Sequence, residues 1–235
     1  MSTVARRGFN WPALALLFLL VPGFIALGVW QVHRLAWKEA LIAHVEWATH
    51  AVPIRVADLP HGPLKPLEYR RLTMSGTYNA RGVTLVTGTS ILGSGYWVLV
   101  PLQPDRGPPV LVNRGFVPSG SRADQVRRAT PSGRVTVTGL LRLTEPGGTF
   151  LRTNRPSDDR WYSRDVVAIA ARRGLEVDPR LFIDAQSESP RASKAPVAGL
   201  TVLTFPNNHL AYALTWFALA ALCAVGAIVV WRRQS

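Results

Sequence analysis

The sequence predicts a membrane protein in which two transmembrane α-helices flank a β-rich extracytoplasmic domain, an antiparallel barrel-like or sandwich-like α+β fold. Two uncharged apolar stretches, residues 11–32 and 210–231, lie at opposite ends of the chain. Each holds about 20 residues, which at about 1.5 Å per residue spans the roughly 30 Å hydrocarbon core of a bilayer. Between them, apolar residues alternate with polar ones over short runs, which is typical of strands.

The arginines at the chain ends predict the orientation. Arg6 and Arg7 precede the first apolar stretch, Arg232 and Arg233 follow the second, and neither tail holds an acidic residue. The positive-inside rule therefore predicts a multi-pass protein of the cell inner membrane, with both termini cytoplasmic and the central domain in the periplasm or its mitochondrial equivalent. An alternative is a cleaved export signal, because residues 6–9 faintly resemble a twin-arginine motif. The apolar stretch is longer than a signal core and no small-residue cleavage site closes it, which favours a membrane helix.

The net charge of +13 invites a nucleic-acid interpretation, but the predicted topology argues against it. Four of the arginines lie in the tails, and the central domain is predicted to face a compartment where no polymer partner is expected. Arginine there suits the carboxylates of a ligand or partner protein and the headgroups of membrane lipids. A solvated surface that keeps the domain soluble is the alternative. We therefore expect membrane lipids, and no nucleic acid, among the partners.

The single cysteine, Cys223, lies inside the second apolar stretch. The exported domain therefore has neither a disulfide nor a thiolate ligand. Soft Cu(I) sites need Cys or Met, and Met74 is the one methionine besides the initiator, so copper carriage is not expected. The sequence contains no C-x-x-C-H motif, which excludes covalent attachment of a c-type haem.

The strand pattern begins after a helical stalk. Helical spacing continues beyond the first apolar stretch to about His50, and a Pro/Gly-rich passage at 59–66 ends it. Ser163 is a candidate cap for a short helix at 164–173, which Gly174 closes. Runs rich in Val, Leu and Thr, separated by turn residues, predict strands at 70–78, 83–87, 96–103, 109–116, 134–143 and 181–185.

These patterns divide the chain into consecutive segments. They are a cytoplasmic tail (1–10), a first transmembrane helix (11–32), a helical stalk and loop (33–66), a β-rich periplasmic domain (67–186), a linker (187–208), a second transmembrane helix (209–231) and a cytoplasmic tail (232–235). The β-rich segment is long enough for one hydrophobic core. Residues 187–199 are poor in apolar side chains, which favours a linker.

The central domain carries no pattern that indicates an enzyme. Its histidines lie in or beside the predicted stalk, and no serine has a nucleophile-elbow context. Asp158, Asp159 and Asp165 could form paired carboxylates, but arginines at 155, 160 and 164 surround them. Structural acids in salt bridges are the favoured interpretation. A membrane enzyme of unknown chemistry is the least favoured alternative.

Ordered blocks along nearly the whole chain resemble one family. The blocks include GVWQ (28–31), EYRR (68–71), GYWVLVPL (95–102), VNRGFVP (112–118), GLLR (139–142), WYSRD (161–165) and NNHLAYALTWF (207–217). Together they resemble the Surfeit locus protein one family, with both membrane segments in the matching places. This resemblance implies an assembly factor for haem-copper terminal oxidases, acting when haem a is placed in the catalytic subunit. It implies that cytochrome c oxidase subunit I and haem a synthase are partners, and that bacterial members bind haem a.

His209 is the candidate axial ligand for haem iron. It begins the second apolar stretch, and on a helix it shares a face with Tyr212, Ala213 and Trp216. Haem iron accepts a neutral imidazole nitrogen, and a flat apolar macrocycle suits aromatic and small neighbours. The family resemblance implicates the same residue. The alternative is that His209, with the two asparagines before it, only caps the helix and anchors it at the headgroups.

His33 lies at a matching depth after the first apolar stretch. It could hold the iron from the side opposite His209, which would make it a second cofactor-binding residue. It falls in no block of the family resemblance. An interfacial anchor is therefore the favoured alternative for His33.

Several arginines within the family-like blocks could bind haem propionates or acidic patches on a partner, because a guanidinium suits a carboxylate. The alternative is internal pairing with Glu68, Asp165 or Asp184. Trp97 and Trp161 are expected to fill the core. The arginines concerned are Arg70, Arg71, Arg114, Arg152, Arg155 and Arg164.

These patterns lead to one functional prediction and one main rival. The prediction is a non-enzymatic assembly factor that binds haem a and assists its insertion into subunit I of cytochrome c oxidase. The rival is a membrane scaffold that binds no haem and recruits haem a synthase and the nascent oxidase subunit. The rival predicts that assembly tolerates His209→Ala but not changes to the surface of the β-rich domain.

Overall fold

The computed structural model describes residues 11–201, 203 and 205–234, and it divides into two compact units. One unit combines the two ends of the chain, through His44 and from Thr204, and the other comprises Val45–Leu203. The predicted cytoplasmic arginines Arg6 and Arg7 lie outside the described residues.

The first unit consists of two long apolar helices. Helix α1 comprises Trp11–His50, the last part of which belongs to the second unit, and helix α4 comprises His209–Gln234. Both are long and apolar enough to cross a membrane. Most of their large side chains are exposed, as expected for surfaces that lipid covers rather than protein. Two candidate membrane helices therefore flank a sheet-rich domain, which confirms that part of the predicted fold class.

The second unit is built on a seven-stranded sheet. The strands are β1 (Ile54–Arg55), β2 (Arg71–Tyr78), β3 (Thr84–Ser90), β4 (Gly93–Pro104), β5 (Val110–Pro118), β6 (Arg134–Leu143) and β9 (Leu181–Ser189), in the order β1-β2-β6-β9-β5-β4-β3. A separate two-stranded hairpin is formed by β7 (Gly148–Thr149) and β8 (Arg152–Thr153). Strand β2 also pairs with β4, through Gly76–Tyr78. The strands β2, β6, β9, β5 and β4 are therefore connected by hydrogen bonds in a closed order.

The sheet is mixed, which corrects the antiparallel prediction. Strand β1 pairs with β2 in parallel, and β5 pairs with β9 in parallel. Alternation of apolar and polar residues specifies the two faces of a strand but not the direction of its neighbour, so the sequence pattern could not reveal these pairs. The predicted barrel or sandwich form stays a prediction.

Apolar side chains pack on both faces of the sheet. The successive residues Val98 and Leu99 of β4 point to opposite faces, and both are fully buried. Val98 belongs to the larger cluster, with Leu72 and Val137, whereas Leu99 belongs to a second cluster that includes Trp161. The prediction that Trp161 fills the core is therefore confirmed. Trp97 is only partly buried and packs edge-on against Phe116, with ring centroids 5.2 Å apart.

Helix α3 (Val166–Arg173) covers the second cluster with Val166 and Ile169. It ends at Gly174, whose left-handed φ of 62° forms the C-terminal cap as predicted. Its N-terminal cap is Asp165 rather than Ser163, because the Asp165 carboxylate accepts the Ala168 N–H at 3.0 Å. Asp165 thus serves as a cap, and the Ser163 hydroxyl instead donates to the Glu145 carbonyl.

Some elements were not predicted from the sequence. Strand β1 lies in the predicted stalk and loop, helix α2 (Ala123–Arg128) lies between β5 and β6, and β9 continues past the predicted linker boundary at 187. The segment after β9 also contacts the sheet, because Val197 and Phe116 exchange backbone hydrogen bonds of 2.9 and 3.0 Å. Very short strands have too few residues for a period to be recognised.

Candidate functional site

Helices α1 and α4 pack closely because small residues lie between them. Ala213, Ala220 and Ala227 are buried and recur every seventh position, so they share one face of α4. On α1, a Cβ added to Gly28 would lie 2.5 Å from the ring of Phe217. Small residues of this kind let membrane helices approach each other, since lipid gives apolar side chains no reason to prefer protein.

A polar contact joins the two helices at the start of α4. The Nδ1 atom of His209 lies 2.7 Å from Oε1 of Gln31. Gln31 is only 8% exposed. An amide oxygen can only accept a hydrogen bond, so this contact requires a proton on Nδ1 of His209. In the neutral imidazole the lone pair is then on Nε2, and Gln31 sets both the tautomer and the orientation of the ring.

The residues predicted to surround His209 take different positions. Ala213 is buried in the helix contact, and Trp216 is partly buried with its ring stacked on Phe24, the centroids being 5.6 Å apart. Tyr212 is 55% exposed and therefore lies outside the contact between the helices. The helical spacing predicted one shared face, and the structure divides it between the helix contact and the outer surface.

His33 is exposed on α1, two residues beyond Gln31. Two residues correspond to about 200° of rotation on an α-helix, so His33 and Gln31 lie on nearly opposite faces. Since Gln31 contacts His209, the structure does not bring the two imidazoles together. An iron site with both histidines as ligands gains no support from this arrangement.

Aromatic residues mark both ends of the apolar stretch in each helix. Trp11 and Trp30 on α1, like Tyr212 and Trp231 on α4, are exposed and about 19 residues apart, or about 28 Å along the helix axis. This spacing matches the two interfacial aromatic belts of a bilayer. The Arg34 guanidinium lies 5.8 Å from the Trp30 ring centroid, so a cation accompanies the aromatic end near Gln31.

Arg114 forms the most buried ion pair in the described part of the sheet domain. Its guanidinium donates to both oxygens of Glu188, at 2.7 and 2.9 Å, and the side chains of the pair are 1% and 6% exposed. The Tyr78 hydroxyl donates to the same carboxylate at 2.8 Å. Burial, together with the Glu188 charge, raises the pKa of Tyr78 well above its ordinary value. Arg114 therefore belongs to an internal ion pair, and its partner is Glu188 rather than the three acidic residues expected from the sequence.

A second polar cluster surrounds Asp184. This carboxylate accepts hydrogen bonds from Asn113 at 2.7 Å and from Thr201 at 2.6 Å. Arg164 lies 3.8 Å from Asp184 and donates to both oxygens of Glu145, at 2.6 and 3.0 Å. Internal pairing was the alternative stated for Arg164, and it is what the structure contains. The cluster combines distant segments, and no local motif signals it.

The other candidate arginines do not converge on one place. Arg152 stacks on Tyr162, with 5.5 Å from guanidinium to centroid, and Arg155 is exposed. Arg70 lies over Trp47, and its Nη1 atom, like Nε of Arg71, is buried without a hydrogen-bond partner in the described part of the chain. These positions do not form a single carboxylate-binding site.

Asp159, one of the three acidic residues singled out in the sequence, has a structural role, but its partners are not the arginines at 155, 160 and 164. Asp159 accepts hydrogen bonds from Trp161 at 2.8 Å and from Arg173 at 2.7 and 2.8 Å. Burial raises the pKa of Asp159, but these donors and the charge of Arg173 outweigh it and lower the pKa below its ordinary value. Among the described residues, no group of three or more metal-ligating side chains occurs.

The fold and the site define a class of proteins with two candidate membrane-spanning helices around a domain built on a mixed sheet. The chain belongs to the SURF1 family, whose family model matches residues 18–221. It is similar to Surfeit locus protein 1 of Mus musculus, with 36% identity over 94% of this chain and 76% of the mouse protein. The human Surfeit locus protein 1 is 35% identical over 88% of this chain and 73% of its own length. A SURF1-like protein of Monosiga brevicollis is 34% identical over 94% of this chain and 88% of its own length.

Proposed function

We propose that this chain is an assembly factor for cytochrome c oxidase, which binds haem a transiently at His209 and assists its insertion into subunit I. Its partners in this proposal are subunit I and haem a synthase. It resides in the inner membrane with both termini in the cytoplasm and the sheet domain in the periplasm. The protein makes and breaks no covalent bond. Membership of the SURF1 family supports the assembly role.

The observation that carries the haem proposal is the contact between Gln31 and His209. It holds the imidazole with the proton on Nδ1 and leaves Nε2 as the free donor atom. Haem iron takes a neutral imidazole nitrogen as its axial ligand. Histidine ligands commonly have their other ring nitrogen bonded to an oxygen acceptor, which fixes the ring before the metal arrives. The donor atom and its orientation therefore fit an axial ligand of haem.

The surroundings of His209 suit an apolar ligand that also carries carboxylates. Leu210, Tyr212 and Leu214 are exposed apolar or aromatic side chains at the start of α4, and they offer a surface to a macrocycle and its hydrocarbon tail. Arg34 lies three residues beyond Gln31, on an adjacent part of the α1 surface. Its guanidinium provides a partner for a propionate at the aromatic end of the helix pair.

Transient binding requires an axial bond that exchanges. One half-buried imidazole at a helix end supplies a single ligand, whereas a buried pair of histidines would hold iron from both sides. The exposed position of His33, away from the Gln31 face, leaves His209 as the single imidazole of this arrangement. This is the arrangement a carrier needs if it is to release its cargo.

The test is the optical spectrum of the detergent-purified protein, co-produced with the enzymes that make haem a. Wild type, His209→Ala and His33→Ala are compared at equal protein concentration. We expect wild type and His33→Ala to retain haem a and His209→Ala to lose it. His33→Ala is the matched control, because it removes an imidazole at similar depth without disturbing the Gln31 contact.

Other outcomes separate the rival proposals. Retention of haem a by His209→Ala would assign the ligand elsewhere. If no preparation holds haem a above background, the scaffold proposal is the better one, and oxidase assembly in cells carrying His209→Ala should then be normal. Loss of haem a in both variants would indicate a site that depends on both helices.

A further inference from the structure

Two hairpin turns of the sheet domain expose large apolar side chains. Ser90 pairs with Gly93 at the end of the β3–β4 hairpin, so Ile91 and Leu92 form its two-residue turn. Thr149 pairs with Arg152 in the β7–β8 hairpin, whose turn is therefore formed by the next two residues, 150 and 151. Ile91 is 78% exposed, Leu92 54%, Phe150 fully and Leu151 84%.

Bulky apolar residues are unusual in such turns. Two-residue hairpin turns favour Gly, Asn and Asp, because these residues adopt the required backbone conformations at low cost. Here both turns carry two apolar residues each, and none of the four side chains is buried within the domain. A concentration of exposed apolar side chains marks a surface that contacts something else.

The two hairpins border one cleft. Its volume is about 450 Å³, and its lining comes from both hairpins, including Gly88 and Ser94 on one side and Thr149 and Arg152 on the other. Tyr162 also lines the cleft, and Arg152 lies over its ring at 5.5 Å. Below the apolar turns, the surface is therefore made of hydroxyl, aromatic and cationic groups.

The one charged side chain that lines the cleft is a cation. Arg152 is part of the lining, and no Asp or Glu is. An apolar tip followed by aromatic, hydroxyl and arginine side chains is the order of groups met on leaving a bilayer core through its headgroups. The charge of Arg152 complements anionic lipids rather than cationic ones.

We propose that the two turns, Ile91–Leu92 and Phe150–Leu151, insert into the headgroup region of a bilayer that contains anionic lipids. The two candidate membrane helices tether the domain to a bilayer, so lipid is present at high effective concentration and even weak insertion is populated. Insertion holds the sheet domain against the membrane surface at a second place besides the helices. The proposal is independent of haem binding at His209.

The test places one fluorescent probe at a turn of the full-length protein. Cys223 is the only cysteine, so a Cys223→Ser background allows a single label. Ile91→Cys and Leu151→Cys are each labelled with an environment-sensitive dye, and Ser132→Cys is the control because Ser132 is exposed in the loop before β6. Since these side chains are exposed, the substitutions remove no packing. The proteins are reconstituted into vesicles of phosphatidylcholine, with or without phosphatidylglycerol.

We expect the probes at 91 and 151, but not at 132, to shift to shorter wavelength in vesicles with phosphatidylglycerol. A headgroup nitroxide should quench them at least twofold more than the control, and iodide in the buffer should quench them at least twofold less. Adding Phe150→Ser to the Ile91→Cys protein should reverse these effects in part.

Equal iodide quenching at all three positions in every vesicle overturns the proposal. Protection that appears only in native membranes containing the oxidase subunits, and not in pure lipid, also overturns it and identifies the turns as a protein-docking surface.

Discussion

Gln31 and His209, 178 residues apart in the chain, are joined by a 2.7 Å contact between an amide oxygen and Nδ1 of the imidazole. A buried amide on a predominantly apolar helix is costly unless it is bonded, so each side chain satisfies the other. The contact also determines which imidazole nitrogen is available as a ligand. Its removal should therefore affect both ligand binding and the pairing of the two helices.

Gln31→Leu should weaken haem a binding by about 10- to 100-fold, the usual cost of losing the partner of a histidine ligand. Leucine has a similar volume but cannot accept the Nδ1 proton, so the ring is no longer oriented. Gln31→Glu is the matched control, because a carboxylate still accepts that proton. Titration of haem a into purified protein measures both affinities. Equal affinities for wild type and Gln31→Leu would show that the contact does not position the ligand.

Gly28→Ala should destabilise the helix pair by about 1–3 kcal/mol, the usual cost of overpacking. The added Cβ would lie 2.5 Å from the Phe217 ring. Gly23→Ala is the control on the same helix, because a Cβ there would meet nothing within 4 Å. Thermal unfolding in detergent compares the two variants. Combining Gly28→Ala with Phe217→Leu should recover stability, and a strictly additive loss would contradict the proposed steric cause.

Arg114→Met should cost about 3–5 kcal/mol of unfolding free energy, because it leaves the Glu188 carboxylate buried without its cation. Arg134→Met is the control, because Arg134 pairs with Asp105 on the exposed surface, where solvent screens the two charges and the pair adds little to stability. Denaturant unfolding of the full-length protein measures both. The double variant Arg114→Met/Glu188→Leu should lose less stability than Arg114→Met alone. A similar small effect for both single variants would mean that solvent reaches the Arg114 pair.

The ion pair between Glu145 and Arg164 should make the free energy of unfolding decrease at low pH. Burial raises the pKa of Glu145, but the hydrogen bonds and charge of Arg164 outweigh it, so the folded pKa lies below the ordinary value of 4.5. A carboxyl with a depressed folded pKa contributes stability that is complete above pH 4.5 and is lost as the pH falls through the folded value.

Glu145→Gln isolates this contribution from those of other carboxyls. This variant should have a lower unfolding midpoint than wild type at pH 7. As the pH falls below about 5 it should lose less stability than wild type, because the glutamine amide binds no proton. Midpoints measured over a pH series give the difference between the two proteins. Parallel curves for wild type and Glu145→Gln would show that the pair does not cause the dependence.

Local patterns predicted much of the fold. The predicted runs at 70–78 and 134–143 agree closely with β2 and β6, because alternation over eight or more residues is a strong signal. The cap of α3 was assigned to Ser163 instead of Asp165, since both residue types cap helices and only the backbone decides which one is placed correctly. Strand β1, with two residues, had no recognisable period.

The sequence indicates where His209 lies but not which residue contacts it. The position of His209 at the start of α4 follows from where the apolar stretch begins. The sequence pattern does not identify Gln31 as the partner of His209, because an uncharged side chain inside an apolar stretch gives no sign of the helix it will face. Its position in that stretch was the available signal, since a polar group in a membrane segment needs a partner.

The sequence by itself determined the two long apolar helices, the strand-forming runs between them and the polar end at which His209 lies. These properties depend on neighbouring residues along the chain, whose side chains repeat with the period of the local backbone. Only the tertiary structure decided that Gln31 rather than His33 contacts His209, that Glu188 is the partner of Arg114, and that β5 and β9 run in parallel. Such contacts depend on helix rotation and strand order, which are set by packing across the whole core and have no local period.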